Sequence, residues 1–262
     1  MPSDAWFVFY TESARSYDAA NRQTGNARAC ENAAMPSPIH PLDNPVWHAL
    51  SGPQRGFAQG ADGEALRYDP EFSIFSALPD EPSAASWKAL AALVGADGVA
   101  VMARTEPLDA PARWQKSWSA LGLQMIAEPT RDAPGAVSEL GPSDVPEMLD
   151  LVARTEPGPF TKRTIELGAF FGLRIGGALA AMAGQRMRLD GYVEVSGVCT
   201  DPAYRGRGYA AVLVRAAMAS AWPGAPILHV RDDNHGAIRV YERLGFSVRR
   251  RFEVAGYQAP PA

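Results

Sequence analysis

Between Val198 and Ala210 the chain reads Val-Cys-Thr-Asp-Pro-Ala-Tyr-Arg-Gly-Arg-Gly-Tyr-Ala. A strand-like run turns through Pro202 and enters an Ala-rich helix. A glycine-rich turn at a helix N-terminus leaves several backbone N–H groups without partners, and the helix dipole adds positive potential there. Gly206 and Gly208 let the backbone approach an anion closely, while Arg205 and Arg207 add charge. These residue types in this order predict a phosphate cradle over Arg205, Gly206, Arg207, Gly208, Tyr209 and Ala210. The loop has no Gly-Lys-Ser/Thr for a nucleoside triphosphate and no Gly-x-Gly-x-x-Gly for a dinucleotide.

A second stretch, Asn234 to Phe246, reads Asn-His-Gly-Ala-Ile-Arg-Val-Tyr-Glu-Arg-Leu-Gly-Phe. Asn234 suits a helix cap, Ile238, Tyr241 and Leu244 form an apolar stripe, and Gly245 suits a left-handed C-terminal residue. Structure alone accounts for everything here except the phenol of Tyr241. Taken together, the two stretches resemble the paired signatures of the GNAT superfamily of N-acyltransferases, over about Ala136–Tyr257.

The resemblance implies acetyl-CoA as cosubstrate and transfer of its acetyl group to an amine, by direct attack in a ternary complex. It places the pantetheine arm along Val198, Cys199 and Thr200 and the pyrophosphate on the amides of Arg205–Ala210, with Asn234 nearby. An N–H near Val198 would meet the thioester oxygen. Tyr241 is the expected general acid, because the family often carries a Tyr there and a phenol has a proton to give. Glu194 is the expected general base, on one strand face with Ser196 and just upstream of a bulge expected at Gly197. Its competing reading is an exposed strand residue. Asp232 and Asp233 read as caps or as contacts to a cationic acceptor. Cys199 reads as strand packing rather than a covalent nucleophile, since no base partner is evident. His229 and His235 are further sources of a base. His229 falls in a strand, and His235 in a solvent-facing first turn.

The elements that must carry these residues follow from periodicity and breakers. Ser83–Val94 has helical spacing with Gly95 as stop, and Gly98–Met102 and Leu123–Ala127 read as short buried strands. The breaker-rich run 128–135 reads as a linker. After it come a strand at Ala136–Leu140 and a helix from Pro142 to Arg154, with Val145, Met148, Leu149 and Val152 on one face. A hairpin follows, Phe170–Ile175 and Leu179–Met187 about Gly176-Gly177. Strand Tyr192–Thr200, helix Gly208–Ser220, strand Ile227–Arg231, helix Asn234–Leu244 and strand Ser247–Gly256 complete the order. The fold class is α/β (α+β), a mixed and mostly antiparallel sheet flanked by helices.

Three parts are expected. Residues 1–34 read as a leader or a mis-assigned start, with translation beginning at Met35. Residues 35–130 form a divergent N-terminal α/β half, and 131–262 the acetyltransferase domain. The layout resembles two-part members of the superfamily such as the glycine N-acyltransferase-like proteins. By analogy the N-terminal half covers part of the sheet and shapes the acceptor pocket, or serves stability or dimerisation.

Composition narrows the partners. With 262 residues, 47% hydrophobic, 21% charged and a net charge of −4, the chain is that of a globular protein without a general nucleic-acid-binding surface. Arg249-Arg250-Arg251 is the one basic run and reads as the solvated end of a strand. No apolar run is long enough for a membrane helix. The two cysteines, Cys30 and Cys199, fit a reducing, cytoplasmic compartment, and the scattered histidines form no metal site. The expected partner is a small-molecule amine, with no nucleic acid and no membrane. Many relatives pair, so a homodimer is among the expected states. Protein N-acetylation and a non-catalytic CoA-binding module are the alternatives.

Overall fold

The computed structural model describes residues 40–135 and 137–261. The leader, Met35 and Cys30 lie outside the described residues. In chain order the elements are α1 (Pro45–Leu50), β1 (Ala58–Ala61), β2 (Ala65–Tyr68), β3 (Ser76–Ala77), α2 (Ala84–Val94), β4 (Val99–Arg104) and β5 (Gln115–Ile126). Then come β6 (Ser138–Leu140), α3 (Val145–Thr155), β7 (Phe170–Ile175), β8 (Ala178–Leu189), β9 (Tyr192–Thr200), α4 (Tyr209–Ser220), β10 (Ala225–Arg231), α5 (His235–Arg243) and β11 (Ser247–Gln258).

Local chemistry sets the helices. Ser83 and Ser86 form a reciprocal capping box on α2, and Gly95 ends it at φ 83°. Helix α3 begins after a short 3-10 turn and buries Met148, Leu151 and Val152. Val145, expected on the buried face, sits at its margin, and Leu151 takes the central position. At the end of α5, Phe246 N–H donates to the Tyr241 carbonyl and Gly245 N–H to that of Glu242. With Gly245 at φ 93° and the Phe246 ring against Tyr241, this is a Schellman cap with its hydrophobic contact.

An eight-stranded sheet runs in the order β4-β11-β5-β10-β9-β8-β7-β6, beside a small antiparallel sheet β1-β2-β3. Only β9 and β10 pair in parallel within the large sheet. Strand β5 extends far upstream of the expected Leu123–Ala127 and lies between β10 and β11, so strands from both sides of residue 130 alternate in one sheet. One face buries Met125, Val195, Leu228, Leu213 and Val214 under α4 and α5. On another, Leu42, Val46, Leu50, Ile227 and Phe252 pack with α1 and the small sheet.

Candidate active site

The site begins where two parallel strands part. Pairing of β9 with β10 runs from Tyr192↔Ala225 to Glu194↔Ile227 and stops there, although both strands continue. On the other side of β9, Ser196 faces Gly184 and Cys199 faces Met182, so Gly197 and Val198 together oppose a single β8 residue. This is a bulge, with Gly197 at φ 63°. A Cβ there would lie 3.0 Å from the Phe170 ring, so both conformation and space call for glycine. The wedge holds a cavity of about 530 Å³. Its walls include Glu194–Thr200 of β9, Leu228–Arg231 of β10, and Asn234, Ala237 and Tyr241 around α5.

At one end lies the glycine loop. A 3-10 turn over Pro202–Tyr204, started by Asp201 accepting from the Ala203 amide, leads into α4. Gly206 and Gly208 have φ 77° and 81°. The amides of Gly206, Arg207, Gly208, Tyr209 and Ala210 have no acceptor among the described residues. Arg205 Nε donates to the Thr200 carbonyl (3.3 Å), and the Arg207 guanidinium stacks on Tyr204. Five successive free amides at a helix start fit a pyrophosphate. Val198, Cys199, Thr200, Arg205 and Asn234 line the cavity, whereas Gly206 to Gly208 lie on the exposed turn beside it and Tyr209 and Ala210 are the half-buried start of α4. Asn234 Oδ1 accepts from the Ala237 amide and caps α5.

Glu194 is buried, not an exposed strand residue. Arg186 grips both its oxygens (Nε to Oε2 3.0 Å, Nη2 to Oε1 2.8 Å), and His229 Nδ1 lies 2.8 Å from Oε1. Burial alone would raise its pKa, but the Arg186 charge and the His229 contact outweigh it and hold the carboxyl at about 2. A carboxylate so clamped is a weak proton acceptor at neutral pH, which counts against the direct base role expected from sequence.

His229 is itself fixed. Gln124 donates from Nε2 to the Leu42 carbonyl (2.7 Å) and accepts at Oε1 from Arg249 (2.8 Å), so its amide cannot turn over. The remaining Nε2 proton faces His229 Nε2 at 3.1 Å, which leaves the imidazole proton on Nδ1, toward Glu194. Phe252 stacks on the ring at 4.0 Å. Arg249 also pairs with Asp43 (2.7 Å), so this member of the basic run turns inward rather than into solvent.

Tyr241 is 9% exposed, and its hydroxyl makes no hydrogen bond among the described residues. Burial, then the neighbouring Cys199, pushes the phenol up to about 12. Burial likewise pushes the Cys199 thiol up to about 11, against partial relief from Thr155, so it is no ready thiolate. Asp233 is ion-paired with Arg231 (2.6 Å), and His235 is exposed at the first turn of α5.

Sequence reasoning passed over Arg186, Gln124 and Glu156. Gln185-Arg186 is a polar step inside the otherwise apolar, buried run of β8, a signal that a partner charge lies across the sheet. Glu156 follows α3 in left-handed conformation (φ 47°) and lines the cavity. Nothing in the sequence marks it.

A family model described as "Acetyltransferase (GNAT) family" matches residues 142–246. A crystal structure of a GNAT-family protein from Novosphingobium aromaticivorans is 40% identical, with a TM-score of 0.76 over 86% of this chain and 100% of that one. The chain belongs to the GNAT acetyltransferase family. A GCN5-related N-acetyltransferase from Kribbella flavida, 18% identical, shares the family fold at a TM-score of 0.55, over 83% of this chain and 96% of that one. Among curated proteins, the N-alpha-acetyltransferase RimI of Mycobacterium tuberculosis is 38% identical over 97 residues, 34% of this chain. The match spans 61% of that relative's length. No helix among the described residues is long and apolar enough to cross a membrane.

Proposed function

We propose that this GNAT protein moves the acetyl group of acetyl-CoA to an amine, by direct attack while both substrates are bound. The observation that carries the reading is the continuity of one surface. Free amides at Gly206–Ala210 lead to the opened edge of β9, and that edge leads to a buried phenol whose hydroxyl makes no hydrogen bond among the described residues.

In this reading the loop amides hold the pyrophosphate and the unpaired edge Val198–Thr200 holds the pantetheine arm. The bulge takes Val198 out of the β8 ladder, which supports a role for its amide toward the thioester oxygen. As the C–N bond forms and the C–S bond breaks, the attacking nitrogen loses its proton to water in the open cavity, and negative charge builds on sulfur. Tyr241 donates to that sulfur. Its pKa of about 12 lies above the ~8.5 of an ordinary thiol, so the phenol contributes a hydrogen bond and solvent completes protonation. Glu194 keeps Arg186 and His229 in place as an ionised partner, rather than taking the amine proton itself. A thiol as shielded as that of Cys199 gives no support to a covalent acetyl-enzyme.

The test is release of free thiol from acetyl-CoA, followed with and without an amine. Release that depends on amine, with linear initial rates and no acetylated Cys199 by mass spectrometry, is the expected result. Binding of acetyl-CoA without any amine-dependent release would leave a non-catalytic CoA-binding module. The likeness to RimI supports a second reading in which the acceptor is the α-amine of a protein. The expected compartment is the cytoplasm.

A further inference from the structure

We propose that the acceptor is a monoamine on a compact apolar body, seated on the sheet floor below the splay with its ammonium toward Glu156. The inference rests on the transferase reading above and names the substrate class of that same site. Registers across β4, β11 and β5 set Ala103, Val254 and Ala120 in one row, and Phe252 opposite Gly122 in the next. Residues two apart on a strand share a face, so both rows look the same way, and all five line the cavity. Three of the five are Ala or Gly, which gives the floor its depth, while Val254 and Phe252 make it apolar. None of them brings a polar side-chain atom.

Of the charged groups that line the cavity, Arg205 bonds the Thr200 carbonyl at the phosphate loop, and the others are matched except one carboxylate. Arg186 and Glu194 satisfy each other, and Arg231 is held by Asp233. Glu156 lines the same cavity, and its carboxylate has no hydrogen bond or ion pair among the described residues. One unmatched carboxylate in a cavity with an apolar floor complements one ammonium on an apolar body. A polycation would bring further charges onto Ala, Val and Phe without partners, and a peptide N-terminus would bring unpaired amides. The strands that supply Ala103 and Ala120 precede residue 130, so the N-terminal part of the chain sets the acceptor class.

The experiment measures thiol release by the full chain with 2-phenylethylamine, spermidine and an alanine-initiated tetrapeptide. Calorimetric titration of acetyl-CoA runs alongside. The expected kcat/KM favours 2-phenylethylamine by at least about tenfold over the other two. Ala120→Phe should cut that value by at least about tenfold. The Kd for acetyl-CoA in that variant should stay within about twofold, which also reports a folded protein. Glu156→Gln, an exposed change that spares the floor, should raise KM for 2-phenylethylamine by about fivefold or more. Faster release with spermidine or the peptide overturns the acceptor class and leaves the transferase reading standing. So does unchanged 2-phenylethylamine turnover in both variants. No release with any of the three amines, while acetyl-CoA still binds, overturns both.

Discussion

Tyr241 illustrates how burial changes what a residue can do. A phenol held near 12 stays protonated across the working range, so it steadies the leaving sulfur as a donor rather than by full proton transfer. Tyr241→Phe should therefore lower kcat by about 100-fold and leave the acetyl-CoA Kd nearly unchanged. Wild-type kcat should show no break from this group between about pH 7 and 10. A break near 9 that disappears in the Phe variant would contradict the assignment. Glu194 makes the opposite case, a carboxylate held at about 2. Because its folded pKa lies below the unfolded value, its stabilisation is complete above about 4.5 and is lost as pH falls through about 2. Glu194→Gln should cost about 2–4 kcal/mol at neutral pH by breaking the buried ion pair with Arg186. That deficit should narrow as denaturant melts are taken from pH 5 to 3, and a constant deficit would argue against the ion pair.

At the scale of elements, the parts that local chemistry decides were legible in the residues. The Ser83 box, the Asn234 cap, the Gly245-Phe246 ending and the glycine loop each depend on groups within a few positions of one another. The bulge at Gly197 was legible too, as a glycine inside a strand. Strand β5 was seen only at its apolar end. The upstream part, Gln115 to Gly122, is polar or small apart from Trp118 and Leu121, and its strand character comes from pairing with β11, with β10 joining only at Gly122. Strands β1–β3 were missed for the same reason. The Arg186–Glu194–His229–Gln124 cluster joins four positions that meet only through sheet register, so no local pattern could announce it. Gly122 tests how tightly β5 is seated. A Cβ there would lie 2.6 Å from the Val230 carbonyl oxygen of β10. Gly122→Ala should destabilise by about 1–3 kcal/mol in thermal melts, and unchanged stability would mean the two strands are not so closely apposed.

Across the whole molecule, the catalytic motifs and the first half of the chain are bound by a common sheet. Without β5, strands β10 and β11 would present unpaired edges in the middle of the fold. A fragment of residues 131–262 should accordingly show no cooperative melt and no acetyl-CoA binding. A fragment that melts cooperatively and binds like the full chain would establish an independent C-terminal domain. The most direct test of the central claim, that the Gly206–Ala210 amides hold the pyrophosphate, is a calorimetric titration of acetyl-CoA into the full chain and two Gly208 variants. Space for a Cβ at Gly208 is open, and its φ of 81° makes any side chain strained there. Gly208→Ala therefore reports strain alone, and should weaken binding by no more than about tenfold. Gly208→Glu adds bulk and negative charge at the cradle and should weaken it by at least about 100-fold. Wild-type affinity in the Glu variant, or no binding by the folded wild-type chain, would contradict the cradle.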